Sequence, residues 1–470
     1  MSGILSAIKL QEAGFDDLTI YEKAPRLGGT WRENTYPGIA CDVPSHLYSY
    51  SFAPNPDWTH RFSPGAEIQQ YLEDVAKRFD VERLIRANTE IRRCAWLDGR
   101  WEIETAEGEI DHADFIIAAT GVLHHPNIPS IPGLESFAGS SFHSARWDHE
   151  IKLEGKRVGV IGTGSSAVQI VSALVDRVAE ISLFQRTPQW IMPQENPPFS
   201  EDEKSDFRSH PETMTTLRAE VSQAFTDHFS NAVVDADSPQ MKLIEELCVA
   251  NLEQNVTDPE LREQLRPDYR AACKRLVISE DFYQAIQKPN AKLVVDAIEQ
   301  IEPAGVRTAN GELHELDVLV LATGFQVDRF MRPIQILGKD GIDLDQIWAE
   351  RPSAYLAISV PELPNLFMLN GPNGPVGNFS LIDVAELQFG YIMQLVQEVL
   401  DGRCREISAS RAATDRFERE RVEAAKTTVW TTGCRSWYLD DRGIPAVWPW
   451  TFDRFREEMF EPTLQDYDRN

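Results

Sequence analysis

The segment KRVGVIGTGSSAVQIVSALV constrains the fold of this chain more than any other part of its sequence. An apolar run leads into a G-x-G-x-x-A turn, and an amphipathic run with helical spacing follows it. This order of strand, glycine turn and helix is typical of a βαβ unit that binds a dinucleotide, because the helix N-terminus offers free N–H groups to a pyrophosphate. The sequence therefore predicts an α/β domain in which the phosphates are bound by Gly162, Thr163, Gly164, Ser165, Ser166 and Ala167.

The strand that follows this unit, within EISLFQRTPQW, ends in Gln185-Arg186-Thr187. A unit that binds NAD carries an acid at this position, where it accepts the ribose hydroxyls. An arginine there is a bidentate phosphate donor, so Arg186 and Thr187 are predicted to bind the 2′-phosphate of NADP. The alternative is a solvent-exposed Arg186 that binds no ligand.

The N-terminus resembles the second half of another dinucleotide unit. ILSAIKLQEAGF has helical spacing and stops near Gly14, and LTIYEK then predicts a short buried strand that ends in Glu22. Glu22 lies nineteen residues after Gly3 (22 − 3), close to the ~20 residues that separate a glycine turn from its ribose-binding acid. Ser2 and Gly3 are therefore predicted to be the tail of a turn whose first strand and first glycines are absent. The alternative is a helix that natively starts at Ser2.

Charge and cysteine content exclude several classes of protein. The chain has 74 acidic and 46 basic residues and a formal net charge of −28, which argues against binding to nucleic acid or an anionic membrane. The cysteines show no C-x-x-C pair and no metal-ligand spacing, which predicts a reduced cytoplasmic protein without disulfides or a metal site. No signal peptide and no membrane-spanning apolar run are visible. The six cysteines are Cys41, Cys94, Cys248, Cys273, Cys404 and Cys434.

Two further motifs lie before the glycine turn. Residues 137–148, FAGSSFHSARWD, have the pattern F-x-G-x-x-x-H-x-x-x-W-D, and RLGGTWRENTYPGIACDVPSHLYSYSF precedes them. In the latter, Gly28 and Gly29 permit close backbone approach to a ligand, and Tyr36-Pro37-Gly38 predicts a tight turn. The alternative for both motifs is aromatic packing, at a domain seam in the first and within a loop in the second.

Together these motifs resemble the type I Baeyer–Villiger monooxygenases, flavoenzymes that insert an oxygen atom beside a ketone carbonyl. GG-x-W, YPG, CD, the 137–148 fingerprint, GTGSSA, QRT, a Lys-Arg pair, ATGF and SWY follow the order of the family from residue 1 to about 450. The resemblance implies FAD and NADP as cofactors and O2 and a small-molecule ketone as substrates. It also implies that an ester or lactone forms through a peroxyflavin. Neither the particular ketone nor the oligomeric state follows from the sequence.

The resemblance and the order of motifs predict an α/β fold with two dinucleotide-binding, Rossmann-like domains. The FAD domain is discontinuous, with its first part at residues 1–145 and its second at 331–470. Residues 146–330 form the NADP domain. Residues 200–270 are polar, acidic and rich in helix formers, and are expected to form a helical insertion that covers the substrate pocket.

The resemblance also assigns roles to individual residues. Arg275 would stabilise the anionic peroxyflavin and the tetrahedral Criegee intermediate, and Asp42 would position this arginine. Lys274 would hold the 2′-phosphate, and Trp437 would line the nicotinamide side. His143 would be structural or conformational, on a linker between the domains, and not a base in the chemistry. The remaining predicted cofactor-binding residues are Gly29, Thr30, Trp31, Cys41, Tyr48, Ile91 and Leu381.

Four alternatives remain open on the sequence alone. Lys274-Arg275 is also compatible with a solvated pair at a strand start, and Trp437 with a packing role. A flavin monooxygenase that oxygenates nitrogen or sulfur would share the glycine turns, but would lack the Trp147-Asp148 ending and the Lys-Arg pair. A flavin-free relative that only binds NADP would explain the missing first strand.

Overall fold

The computed structural model describes all 470 residues, which form an α/β fold of thirteen α-helices and twenty strands. The helices are α1 (Ser2–Glu12), α2 (Thr30–Glu33), α3 (Gly65–Arg78), α4 (Ser165–Leu174), α5 (Glu201–Ser209), α6 (Pro211–Phe225), α7 (Pro239–Asn255), α8 (Pro259–Gln264), α9 (Phe282–Ile286), α10 (Leu344–Ile347), α11 (Leu381–Leu400), α12 (Arg411–Ala425) and α13 (Phe452–Glu458). The strands of the first half are β1 (Ile20–Glu22), β2 (Ile85–Ala87), β3 (Ile91–Leu97), β4 (Arg100–Thr105), β5 (Ile110–Ala113), β6 (Ile116–Ala118), β7 (Ser140–His143), β8 (Arg157–Ile161), β9 (Glu180–Phe184) and β10 (Ile191–Met192). Those of the second half are β11 (Val277–Ile278), β12 (Ala291–Val294), β13 (Ile298–Glu302), β14 (Gly305–Thr308), β15 (Leu313–Glu315), β16 (Val318–Leu321), β17 (Gln335–Leu337), β18 (Leu366–Met368), β19 (Ile407–Ala409) and β20 (Tyr467–Arg469).

The second nucleotide unit is built on a parallel five-stranded sheet with the order β12-β9-β8-β16-β7. Its central strands are continuous apolar runs because both faces of a parallel sheet are covered. The buried side of α4 packs on this sheet through residues such as Ala167 and Val171. The turn between β8 and α4 requires glycine at Gly162, where φ is 119° and a Cβ would lie 2.3 Å from the carbonyl oxygen of Ala322.

The fingerprint at residues 137–148 forms the edge of this same sheet. Its strand β7 pairs in parallel with β16, so that His143 lies opposite Leu321. The second unit therefore begins before Ser140, and the boundary expected between residues 145 and 146 lies too late in the chain. The error has a physical cause: the strand is recruited by residues about 180 positions downstream, and no local pattern reveals such a pairing.

The first nucleotide unit contains two separate two-stranded parallel sheets, β1-β2 and β6-β18. No strand pairs with the second edge of β1 or of β6. All three residues of β1 are only half-buried, so the expectation of a buried strand is wrong, because one of its edges has no neighbour. Helix α1 begins at Ser2 and packs on α11.

C-terminal segments complete the first unit. Strand β18 pairs with β6, and β17 joins β3, β4 and β5 in a four-stranded sheet. Residues from both ends of the chain share one hydrophobic core, which includes Leu5, Trp58, Phe367 and Ile392. The polypeptide therefore leaves this unit after β6 and returns to it after β16.

The segment 200–270 contains α5 to α8, with a π-helical turn at Thr226–Ser230 after α6. From α6, Arg218 donates hydrogen bonds to the carbonyl oxygens of His46 (2.9 Å) and Ser49 (2.6 Å) and pairs with Asp383 at the start of α11. Burial raises the pKa of Asp383 to about 6. These contacts dock the helical segment on the first unit. No helix of the chain is long and apolar enough to cross a bilayer.

A disulfide joins Cys273 and Cys434, whose Cα atoms are 6.1 Å apart. The expectation that all six cysteines are free is therefore wrong for this pair, and the inference of a reduced compartment loses part of its basis. The two cysteines are 161 residues apart in sequence. They meet only because the C-terminal aromatic segment folds onto the core of the second unit, where Trp430 and Tyr438 are buried.

Candidate active site

A cavity of about 2440 Å³ lies between the two units. All of the predicted catalytic and cofactor-binding residues line it except Ala167. Ala167 is fully buried beneath the glycine turn, where its small side chain lets α4 approach the sheet. The fold therefore brings together residues that are separated by more than 400 positions, from Ser2 to Trp437.

The wall formed by the first unit includes Gly28, Gly29 and α2. Gly28 has a φ of 125°, and a Cβ there would lie 1.8 Å from the Gln69 side-chain oxygen. The backbone at Gly29 and Thr30 faces open space in the cavity. The Trp31 indole N–H donates to the Tyr48 hydroxyl at 3.2 Å, and the two rings meet edge to face at 5.7 Å. This wall leaves room next to backbone N–H groups, which suits a dinucleotide.

The acid at the end of β1 is oriented by two contacts to one of its oxygens. Glu22 Oε1 accepts from the Ala24 backbone N–H at 2.9 Å and pairs with Arg32 at 3.2 Å. Its Oε2 has no protein partner and is available to a ribose hydroxyl.

Nearby, Asn370 connects Ser2, the first residue of α1, with Leu381, the first residue of α11. Its side-chain amide donates to the Ser2 hydroxyl and to the Leu381 carbonyl oxygen, each at 3.3 Å. Gly3 lies between Ala119 and Ile20, and a Cβ at this position would lie 3.7 Å and 4.0 Å from their side chains. Ile91 opens β3 on the same wall.

The glycine turn of the second unit forms the opposite wall. Gly164 faces open space at the N-terminus of α4, and Ser165 and Ser166 are the first two helical residues. Thr163 donates its hydroxyl to the Thr187 carbonyl oxygen at 2.7 Å, which ties the turn to the end of β9. A helix N-terminus with an open glycine in front of it fits a pyrophosphate.

Two cations lie together beside this turn. Lys274 Nζ lies 4.4 Å from the centroid of the Tyr269 ring, and neither Lys274 nor Arg186 forms an ion pair with a carboxylate. Burial lowers the pKa of Lys274, and the charge of Arg186 lowers it further. Because a dianionic phosphate would relieve this repulsion, the pair fits a 2′-phosphate.

Arg275 and Asp42 meet between the two walls. Arg275 donates a hydrogen bond to Asp42 Oδ2, and the negative charge of Asp42 raises the pKa of Arg275. Each side chain remains partly exposed to the cavity. Burial raises the pKa of the adjacent Cys41 thiol, and so does the charge of Asp42. The site thus holds a fixed cation beside a protonated thiol.

Two contributors, Tyr438 and Tyr36, were not predicted from the sequence. Tyr438 lies beside Arg275, and burial raises the pKa of the Tyr438 hydroxyl. The centroid of the Tyr438 ring lies 4.2 Å from that of Trp437, a residue that is 37% exposed. Tyr36 donates to Gln169 Oε1 at 2.9 Å and accepts from Ser166 at 3.1 Å. The signal was available in part, because Tyr438 directly follows Trp437 in SWY and Tyr36 opens YPG.

His143 does not line the cavity. Its Nδ1 accepts from the Ala145 backbone N–H at 3.1 Å and its Nε2 lies 3.0 Å from the Gly324 carbonyl oxygen. Burial lowers the pKa of His143, which favours the neutral ring. The histidine therefore joins the fingerprint to the ATGF turn and is structural.

Two dinucleotide units around one cavity define an oxidoreductase of the class that uses two nucleotide cofactors. The family model described as pyridine nucleotide-disulphide oxidoreductase matches residues 2–203. An uncharacterized monooxygenase of Mycobacterium tuberculosis is 45% identical over 96% of this chain and 90% of its own length. A Baeyer-Villiger monooxygenase of Streptomyces coelicolor is 39% identical over 99% of this chain and 90% of its own. The solved complex of OTEMO with FAD and NADP has a TM-score of 0.89 at 26% identity and covers 100% of this chain and 97% of that one.

This chain belongs to the Baeyer–Villiger monooxygenase family. The family predicted from its motifs is thereby confirmed.

Proposed function

We propose that this chain uses FAD, NADPH and O2 to convert a ketone into an ester or lactone. The observation that carries the proposal is the Arg275–Asp42 pair, which lies where the two nucleotide-binding walls of the cavity meet. Bound FAD would supply the redox chemistry, by taking a hydride from NADPH and activating O2. The residues of the chain bind, orient and stabilise charge.

On the first wall, Glu22 Oε2 would accept a hydrogen bond from a ribose hydroxyl of FAD, and the backbone at Gly29 and Thr30 would border the flavin. The pair Trp31–Tyr48 holds this wall rigid, because each ring fixes the other through the indole hydrogen bond. Ser2, Gly3, Cys41, Ile91 and Leu381 complete the wall.

On the second wall, Gly164, Ser165 and Ser166 at the N-terminus of α4 would bind the pyrophosphate of NADP. Arg186 and Lys274 bind the 2′-phosphate, with Thr187 beside them. Trp437 borders the nicotinamide end, where its exposed ring can cover the coenzyme.

Arg275 stabilises the negative charge that develops on oxygen as the new C–O bond forms. A guanidinium suits this role because it stays charged and presents planar donors. Asp42 holds it in place by a charge-assisted hydrogen bond. Burial raises the pKa of Tyr438, so its hydroxyl stays protonated. It therefore adds no negative charge that would neutralise Arg275.

We further infer that these 470 residues hold FAD weakly. Strands β1 and β6 each have an edge that pairs with no strand, and both edges border the cavity. Because no strand joins these two edges, the backbone around a flavin pyrophosphate is less enclosed than in a continuous dinucleotide-binding sheet.

The experiment combines cofactor and product analysis on one protein. The purified chain is titrated with FAD, and the FAD-saturated protein receives NADPH, air and cyclic, linear and aryl ketones. Ester or lactone detected by gas chromatography supports the proposal. NADPH oxidation with sulfoxide or N-oxide formation but no ester from any ketone would show a different oxygenase, and NADP binding without FAD binding would show that the chain is no flavoenzyme.

A further inference from the structure

Glu33 is the centre of a charge cluster outside the reaction chemistry described above. Its side chain is 11% exposed, and its Oε1 accepts from Arg32 at 3.0 Å. Its Oε2 lies 2.9 Å from His124 Nδ1 and 3.5 Å from Arg146 Nη1. The hydrogen bond from His124 and the charges of Arg146 and Arg32 lower the pKa of Glu33 although its burial acts in the opposite direction. The carboxylate is therefore held ionised between three partners.

One side of the cluster leads to the flavin wall. Arg32 uses one end of its guanidinium for Glu33 and the other for Glu22 Oε1, at 3.2 Å. Since the Arg32 contact and the Ala24 backbone N–H both occupy Oε1, they turn Oε2 of Glu22 toward the cavity. Glu33 thus fixes the arginine that fixes the ribose-binding acid.

The other side of the cluster leads to the second unit. Arg146 is the last residue of the short helical turn, Ser144–Arg146, that follows strand β7 in the fingerprint. It lines a smaller, adjoining cavity of about 430 Å³ together with Glu33, His124 and Trp147. Glu33 and His124 also line the large cavity, whereas Arg146 does not. A second contact crosses the same seam, where Thr35 Oγ1 lies 2.7 Å from His149 Nε2. The ion pair with Glu33 therefore links Arg146 to the flavin wall.

We propose that Glu33 is a positioning residue that couples the acid Glu22 to Arg146 across the seam, so that FAD affinity depends on how the second unit docks. The inference rests on the proposed function, because it requires that Glu22 binds FAD. It extends that function because Arg146, a residue of the second unit, would influence the affinity of the first unit for FAD. The carboxylate of Glu33 forms ion pairs with both Arg32 and Arg146.

The experiment is a double-mutant cycle on FAD affinity, measured by quenching of flavin fluorescence with apoprotein. The variants are Glu33→Gln, Arg146→Gln and the two combined. We expect Glu33→Gln to weaken FAD binding about three- to tenfold and Arg146→Gln about two- to threefold, as for partly buried and exposed ion pairs. In the combined variant, we expect Arg146→Gln to add no further loss, because its route to Glu22 has already been removed.

Two controls separate positioning from general damage. Arg146→Lys keeps the charge and should restore most of the affinity lost in Arg146→Gln. Arg177→Gln breaks an exposed pair with Glu154 on the same unit and should leave FAD affinity unchanged. Thermal unfolding of each variant verifies that it is folded.

Three other outcomes would each overturn the inference that Glu33 couples Glu22 to Arg146. Losses that multiply in the combined variant would show that Glu33 and Arg146 act independently. An unchanged affinity in Arg146→Gln would show that the seam does not reach Glu22. An unaltered chain that binds no FAD at all would overturn the proposed function, and the coupling inference with it.

Discussion

Arg186→Ala tests the assignment of the 2′-phosphate site. Arg186 is exposed at the end of β9 and has no carboxylate partner, so its charge is free for a ligand. Loss of one charge-assisted contact to a phosphate costs about 1.5–3 kcal/mol, which corresponds to roughly ten- to hundredfold in affinity. Because Arg186 is exposed and solvent screens its charge, we expect the lower end, about a tenfold rise in the KM for NADPH.

Lys274 supplies an internal comparison for this prediction. Its ammonium is half-buried over Tyr269, and its pKa is lowered by burial and by Arg186. Lys274→Ala should therefore cost more than Arg186→Ala, and the combined variant should lose less than the product of the two, because each single change also removes the repulsion between them.

The assay is steady-state oxidation of NADPH and of NADH by FAD-saturated protein. NADH lacks the 2′-phosphate, so its KM should stay nearly unchanged in each variant. Arg177→Ala, which removes an exposed charge elsewhere on the second unit, should change neither KM. Equal losses with NADPH and NADH would refute the assignment.

Three further outcomes are expected. FAD binding by the 470-residue chain should be weak, and purification with stoichiometric, tightly held FAD would contradict the role given to the unpaired edges of β1 and β6. Denatured, unreduced protein should show four reactive thiols, and six would exclude the Cys273–Cys434 disulfide. Burial raises the pKa of Asp383 to about 6 in the folded chain, whereas an ordinary Asp has a pKa of about 4. The raised pKa therefore stabilises the folded state fully below about pH 4. This contribution to stability is lost as the pH rises through about 6. Unfolding by urea at pH 5 and 7.5 should show this pH dependence in the unaltered chain and a smaller one in Asp383→Asn.

The sequence predicted best what local pattern determines. The turn from Gly162 to Ser166 and its helix α4 form as expected, because an apolar strand, glycines and an amphipathic run leave few other conformations. Helix α1 likewise forms over the run predicted to be helical and ends just before Gly14, while its start at Ser2 is the one given as the alternative. These elements depend on neighbours within a few residues, which a sequence displays directly.

Such local patterns do not reveal pairing between segments that are far apart in the sequence. Strand β7 belongs to the second unit because of β16, and β1 is only half-buried because its second edge has no partner. Cys273 directly precedes Lys274-Arg275, and Cys434 lies two residues before the SWY motif. Their proximity follows once both motifs are placed in the same cavity, a step that cysteine spacing alone does not provide.

The geometry of the site adds what residue types cannot give. The sequence named Arg275 and Asp42, and the structure places them in a charge-assisted contact with Tyr438 beside them. The relay from Glu22 through Arg32 and Glu33 to Arg146 crosses two units, and no spacing rule predicts it.

Arg275→Ala tests the central claim most directly, with FAD-saturated protein and the same preparation used for two measurements. Stopped-flow absorbance follows reduction of FAD by NADPH, and gas chromatography follows ester formation. Hydride transfer does not require the guanidinium, so we expect reduction at a near-normal rate. Removal of an oxyanion donor commonly costs about 10²–10³ in rate, so ester formation should fall at least that far. Ester formed at the rate of the unaltered protein would contradict the account.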